Sequence, residues 1–494
     1  MSDSLKHNVL FVFISNFIPS ILTYVFWLIA SNLTTSAMVG VVGSISSLAM
    51  ILVAISSLDI PGGAKRFFGK TFSEQQYSEF GVFSSSSVVF ILISSIVVLA
   101  ITLNPWIGIM ETIGIETKFV LIIVVIVIGN NLQNMFRSIL TSSLKSKSIL
   151  IPSLGSSSIR LISLILFFII FGLTEIEVAW AYSIFYLGLA IGLFLVSKNN
   201  FYKFSFNEFK AHIKLVIQAS IPKWGPSIIG VVGTHLSILV IFSTKGASES
   251  GEFFIPYAIF AIIVMLSGSI NQISHPVWSG MKSELEQVKL LEKNLKFTFL
   301  ATLPIAAIII LLSSEIALFF GEDFKNSGVI LTVLMLSYPL LITQQGAFFL
   351  LHARGHYREV LYIGIIANVP RVILYFVLIP ELGSIGGAYA MIIGTILQFF
   401  AAAIISKKLG IQIHYVDYAI ISIVSYGIGL LMYVLELEII GATIVFVGSY
   451  VIFIKLKLLD KEIIKEICRF IFSEERGENI SEKIISKFEK IKLL

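Results

Sequence analysis

Apolar residues arrive along this chain in long runs separated by short polar joints. Fourteen runs of about 20 residues stand out: roughly 9–30, 37–58, 80–103, 119–139, 149–171, 178–196, 215–242, 253–273, 297–320, 328–351, 360–379, 386–406, 417–435 and 439–455. A backbone in hydrocarbon finds no water, so each run satisfies its own N–H and C=O groups as a helix. About 20 residues at 1.5 Å per residue cross the apolar layer. The pattern predicts an all-α polytopic membrane protein with about 14 transmembrane helices.

The second half of the chain echoes the first at an offset of roughly 207–215 residues. Pro19-Ser20-Ile21 recurs as Pro226-Ser227-Ile228, Gln133 as Gln344, Arg160 as Arg371, and Ala181-Tyr182 as Ala388-Tyr389. Six spans is an even number, so both halves enter the membrane with the same polarity. The echo predicts two parallel six-helix lobes around a central cavity, 1–205 and 206–410. Two added spans (411–455) and an amphipathic tail (456–494) follow. Residues 62–79 and 277–296 follow Pro61 and Pro276 at matching places, and each is expected to be a short surface helix. In the tail, Ile463, Ile467, Phe470 and Ile471, then Ile480, Ile484, Phe488 and Ile491, recur at helical spacing. They are expected to lie on the inner membrane surface rather than dock a partner.

Composition sharpens this picture. The chain is 56% hydrophobic and 13% charged, with mean hydropathy +0.93. A soluble protein carries about 25% charge, so lipid must cover much of this one. Twenty-nine of the 35 basic residues fall on the side that holds both termini, and three (Lys118, Lys245, Lys325) on the other. The positive-inside rule places both termini in the cytoplasm. Net charge +5 therefore reports topology, not nucleic-acid binding. Cys468 is the single cysteine, so no internal disulfide forms. The first run is too long for a signal-peptide core and is expected to be the first span.

The remaining three basic residues, Arg160, Lys223 and Arg371, lie inside spans. A cation in hydrocarbon costs upwards of about 3 kcal/mol and normally faces a bundle interior or a water-filled cavity. No Asp or Glu lies deep in a span; Asp59, Glu177 and Glu315 sit near span ends. Such an interior would attract a negative ligand. Snorkelling is the alternative, hardest for Arg160 because it lies deep in its run. Lys223 is flanked by Pro222 and Pro226, which loosen the helix. Asn16, Ser20, Thr23 and Trp27 form one stripe on the first span, suited to ligand contact or to helix–helix association. Gln218, His235, Gln344 and Gln345, with Asn130, Asn131, Gln133 and Asn134, are polar candidates with the same two readings. His235 is either a titrating group or simply packed. There is no Walker motif, no His/Cys/Asp metal cluster and no carboxylate pair within reach of an outer-surface cavity. No catalytic residue, enzyme activity, metal or resident cofactor is expected, although a coupling ion of unspecified identity is compatible with the pattern.

Asn368, followed by Pro380-Glu381-Leu382-Gly383-Ser384-Ile385-Gly386-Gly387-Ala388-Tyr389-Ala390, resembles the Asn…P-x-x-G-x-x-G-A-x-A signature of polysaccharide flippases. The opening through Leu58-Asp59-Ile60-Pro61-Gly62-Gly63-Ala64-Lys65-Arg66 is similar to the same family, which belongs to the multidrug/oligosaccharidyl-lipid/polysaccharide (MOP) superfamily. The resemblance extends over the whole chain in span number and loop lengths. It implies an alternating-access carrier in the cell membrane that moves polyprenyl-linked glycan from the inner to the outer leaflet. Membrane lipid, the glycan-lipid and glycan-assembly enzymes would be its partners. It also implies that Arg160, Lys223 and Arg371 meet the lipid's phosphate; Asn16, Thr23, Gln218, His235 and Gln344, read from the spans themselves, are the candidates to hold its sugars. The lipid II flippase branch carries arginines on its first two spans, and this chain has none there. The drug-exporting branch uses a buried acid on the first or seventh span; here those spans carry Asn16 and Thr23, and Gln218 and Lys223. A drug antiporter of the same fold and a membrane glycosyltransferase or polymerase are the rivals. The second would need more outer surface than loops of three to fifteen residues supply.

Overall fold

The structure, a computed structural model, describes residues 3–201, 206–459, 461, 463–465, 478–483 and 485–486. Among these the chain is helical, with short 3-10 turns and no strand. The helices in order are α1 (Asp3–Leu33), α2 (Ser36–Ser57), α3 (Ile60–Ser73), α4 (Tyr77–Thr102), α5 (Ile109–Ile113), α6 (Val120–Ser142), α7 (Leu150–Phe171), α8 (Glu175–Ser197) and α9 (Phe206–Lys245). They continue as α10 (Ala247–Gly280), α11 (Glu284–Leu311), α12 (Ser313–Phe319), α13 (Ser327–Leu336), α14 (Tyr338–Ala353), α15 (Tyr357–Leu382), α16 (Ser384–Lys408), α17 (Tyr415–Val434) and α18 (Glu438–Lys455). Twelve are long and apolar enough to cross a membrane, and thirteen spans result if α13 and α14, bent by 46°, count as one. The first expected span is α1, whose apolar stretch Phe17–Leu33 is shorter.

Helix α7 displays the logic of the fold. Its exposed positions are mostly apolar, among them Ile151 (79%), Ile162 (55%) and Ile169 (71%). Its buried positions are mostly polar: Ser153, Ser156, Ser157 and Arg160, with Leu164 the exception. That is the inverse of a helix in water. It is stable only where the surroundings are hydrocarbon and small hydroxyl residues let helices approach.

Ends are set by local chemistry. Thr174 and Glu177 form a capping box at the start of α8. Thr35 caps α2 through Met38 N. Pro339, which has no N–H to give, stands at the bend between α13 and α14.

The matched surface helices appear only in the first half. There α3 is a separate helix, ended before Gln75, which adopts φ +59°. In the second half, 277–296 is instead the end of α10 and the beginning of α11, which runs unbroken to Leu311. Ser283 caps α11 by accepting from Glu286 N, and nothing interrupts the helix before Pro304. Most of the tail helix proposed for 456–494 lies outside the described residues; 478–483 are helical.

Packing divides the chain into two compact units. One comprises 1–258, 317–330 and 357–394; the other comprises 259–316, 331–356 and 395–494. Repeat and packing are different criteria, and the second boundary runs through α10 and α16. In the first unit α8 packs on α6 and α7, and α9 packs on α2, α3 and α15. Phe68, Phe80, Met135, Ile139 and Val216 belong to its apolar core. The first unit also contains a very close crossing of α2 and α10. A Cβ on Gly40 would lie 1.8 Å from Ala247 O, and one on Gly251 would lie 1.9 Å from Ser36 O. Ser36 Oγ meets Ser248 Oγ at 2.7 Å, and Ser44 Oγ meets Ser250 Oγ at 3.0 Å. In the second unit α11 packs on α14, α17 and α18. His414 and Glu292, with Lys296–Asp417 at 3.5 Å, tie α17 to α11.

Candidate functional site

Arg160 and Arg371, which echo each other in the sequence, are both buried. Arg160 is 1% exposed on α7, and Arg371 is 5% exposed on α15. Arg160 Nη2 donates to Thr23 Oγ1 at 2.7 Å, and Thr23 donates in turn to Pro19 O at 2.7 Å. The guanidinium carbon lies 4.8 Å from the ring centre of Phe185, 5.3 Å from Phe26 and 5.9 Å from Tyr182. Guanidinium over aromatic faces is a low-cost way to hold a cation away from water. Tyr182 carries the polar chain onward to Tyr186 (3.1 Å) and Ser46 (3.2 Å). Arg160 Nε is buried without a hydrogen-bond partner.

Arg371 is held differently. Its Nη1 donates to Asn368 Oδ1 at 2.8 Å, and Asn368 donates to Gly364 O at 2.9 Å. Two glycines make room. A Cβ on Gly394 would lie 2.3 Å from Arg371 Nε, and one on Gly233 would lie 1.9 Å from Asn368 Oδ1. Tyr375 OH donates to Gly233 O at 2.7 Å, joining α15 to α9. His235, half-buried on α9, faces Tyr257 with ring centres 5.9 Å apart and meets Ser47 Oγ at 3.4 Å.

Lys223 sits elsewhere, half-buried on α9, which continues through both flanking prolines. Its Nζ lies 5.6 Å from the ring centre of Tyr357. Next to it in sequence, Trp224 Nε1 donates to Ala54 O at 2.8 Å, pinning α9 to α2. Asp59, between α2 and α3, feels the charges of Lys223 and Lys65. Burial pushes its carboxyl up to about 6, against the opposing pull of Lys223, then of Lys65 and of the Gly62 N–H. Lys65 is exposed to solvent, yet surrounding protein pulls its ammonium below the usual range, with Lys223 adding to the effect and Asp59 opposing it.

The remaining candidates scatter. Gln218 is exposed on α9. Gln344 is buried in the second unit on α14, its Oε1 without a hydrogen-bond partner. The Asn16 side chain is outside the described residues. In the sequence Asp59 is a span-end acid and Lys65 a marker of topology. The rings around Arg160 carried no signal beyond being aromatic. Among the described residues no group of three or more His, Cys, Asp or Glu is placed to hold a metal.

No protein-family model and no curated protein matches the sequence. Solved structures do. A lipid II flippase, MurJ, in an inward closed conformation, superposes with a TM-score of 0.67 at 17% identity, over 91% of this chain and 99% of that one. An inward-facing multidrug resistance MATE transporter of the MOP superfamily gives 0.61 at 14% identity, covering 81% and 98%. A MATE transporter of Vibrio cholerae gives 0.57 at 14%, covering 82% and 98%. The chain has the MOP-transporter fold. It is a multi-pass membrane protein, and the MOP fold expected from the Asn368–Ala390 resemblance is the one found.

Proposed function

We propose that the chain is a flippase that carries lipid-linked oligosaccharide or polysaccharide precursors across the cell membrane by alternating access. Both termini face the cytoplasm in this reading, and the lobes 1–205 and 206–410 rock against each other. The observation that carries it is the pair Arg160 and Arg371, two buried cations at repeat-related positions held by neutral partners such as Thr23 and Asn368. A positive interior favours an anionic headgroup and disfavours organic cations. Lys223 and Lys65 would meet the phosphate where solvent reaches it. Thr23, His235, Gln218, Gln344 and Asn16 would serve the polar part of the cargo, while the prenyl chain stays in lipid. Membrane lipid and glycan-assembly enzymes are the partners, and no resident cofactor takes part.

Deleting the gene in a host without a paralogue should leave lipid-linked glycan on the cytoplasmic leaflet. Normal outward delivery would refute the reading. A small-molecule antiporter is the second reading, supported by the likeness to MATE transporters at TM-scores of 0.61 and 0.57. Efflux of cationic dyes by the purified protein in vesicles would favour it.

A further inference from the structure

The corner between α2 and α3 is built at a cost in backbone strain. Leu58 and Asp59 both adopt left-handed conformations, at φ +47° and +51°. Asp tolerates that region; Leu does not do so readily, and such strain persists only where surroundings enforce it. Here the corner aims the Asp59 carboxylate back over the start of α3. A Cβ on Gly62 would lie 2.5 Å from both carboxylate oxygens. Asp59 O accepts from Gly62 N (3.0 Å) and Gly63 N (2.9 Å). Gly63 presses on α9, because a Cβ there would lie 2.0 Å from Ser220 Oγ.

Helix geometry then gathers three charges. Lys65 stands one turn beyond Gly62, on the face the carboxylate covers. Lys223 stands one turn beyond Ser220, on the face of α9 that receives α3. The charged groups acting on Asp59 are Lys65 from α3 and Lys223 from α9; α4 and α6, also packed on α3, add none among the described residues. Both ammoniums act through space on the one carboxylate, so the cluster is net positive. Its exposed member, Lys65, opens it to solvent.

We propose that Asp59, Lys65 and Lys223 form an exchangeable oxyanion site, in which a phosphate-bearing headgroup takes over from Asp59 as counter-anion to the lysines and Asp59 takes up one proton from bulk water. This deepens the flippase reading and rests on it for the prenyl-linked source of the headgroup. Without ligand, Asp59 is the resident anion and keeps two lysines from being left uncompensated. With ligand, the phosphates take over that duty, and the carboxylate, now beside another anion, is better neutral. Binding is thereby linked to protonation. Above the free protein's value, near 6, affinity falls as pH rises, by up to tenfold per unit for one proton; below it affinity is flat.

The test is calorimetric titration of the full chain in nanodiscs, in two buffers of different ionisation enthalpy, between pH 5.5 and 8. Two diesters that do not titrate near neutrality serve as probes: a short-chain prenyl diphosphate sugar, and the same diphosphate sugar carrying a methyl group in place of the prenyl chain. The wild type should take up close to one proton per ligand at pH 7. Asp59→Asn, which keeps the shape and tolerates left-handed backbone, should bind with no proton uptake and no pH slope. Lys65→Gln and Lys223→Gln should each weaken binding tenfold or more. Infrared difference spectra of the wild type should gain a protonated-carboxyl band on ligand addition, a readout independent of whether the variants fold. Absence of uptake and band in the wild type, or unchanged uptake in Asp59→Asn, overturns the proposal. Failure of both probes to bind a preparation that still flips lipid-linked glycan overturns the site and leaves the flippase reading standing. Equal binding of the two probes supports the site but assigns it a free oxyanion, which counts against the flippase reading. Tighter binding of the prenyl form supports both.

Discussion

The guanidinium of Arg160 and the hydroxyl of Thr23 lie 2.7 Å apart, which joins α7 to α1 through a charged hydrogen bond in the apolar layer. Thr23 matters there as an acceptor, since its own proton goes to Pro19 O. Thr23→Val keeps the volume and removes the acceptor. It should lower stability by about 1.5–3 kcal/mol, the range for bonds to buried charged groups, while Thr23→Ser stays near wild type. Thermal unfolding in detergent reads the difference. Equal melting of the valine and serine variants would show that the bond contributes nothing.

The glycines around Arg371 are spacers with different demands. Gly394→Ala and Gly233→Ala each drive a methyl into a side chain that is already buried and bonded, and each should cost about 1–3 kcal/mol. Gly230, on the same helix as Gly233, has nothing within 4 Å of the position of a Cβ. Gly230→Ala should be neutral or stabilising by up to about 1 kcal/mol. Three melting curves check the ordering.

In the flippase reading, alternating access parts the α2–α10 crossing, which ties the proposed lobes 1–205 and 206–410 together. With Cys468 replaced by Ser, the pair Ser44→Cys and Ser250→Cys should cross-link on mild oxidation, because their hydroxyls sit 3.0 Å apart. The oxidised protein should lose transport, and reductant should restore it. Full activity of the cross-linked protein would place the moving contact elsewhere.

Asp59 also predicts a pH dependence of stability. Its carboxyl is raised to about 6 from an ordinary 3.8, so the folded state binds the proton more tightly than the unfolded one. Above about pH 6 the ionised group opposes folding by about 3 kcal/mol; stability rises as pH falls from about 6 to about 4, and the effect is spent below that. The wild type should therefore gain melting temperature relative to Asp59→Asn on acidification from pH 7 to 5. Parallel curves for the two proteins would contradict the assignment.

The spans were legible because each is an apolar run long enough to stand alone. Breaks within them were less so: residues 277–296 read as a surface helix from their charge, but only the cap at Ser283 divides them. Burial of Arg160 was favoured by its distance from the span ends and by the cost of a cation in hydrocarbon, whereas snorkelling stayed open for Arg371. Their partners were not legible. Thr23 is 137 residues from Arg160, and Phe185 carries no mark of stacking on a cation. Asp59 reads in sequence only as a span-end acid for a similar reason. It acquires meaning only where α3 meets α9, a meeting recorded in sequence by nothing more than Gly62, Gly63 and Ser220.

The most direct measurement is leaflet exchange of a fluorescent prenyl-diphosphate glycan in vesicles containing the purified chain, followed by quencher accessibility. The account predicts time-dependent exchange that is abolished or strongly slowed in Lys223→Gln and Arg371→Gln variants that still insert and melt as folded proteins. Exchange no faster than in protein-free vesicles, or unchanged in both variants, would contradict it.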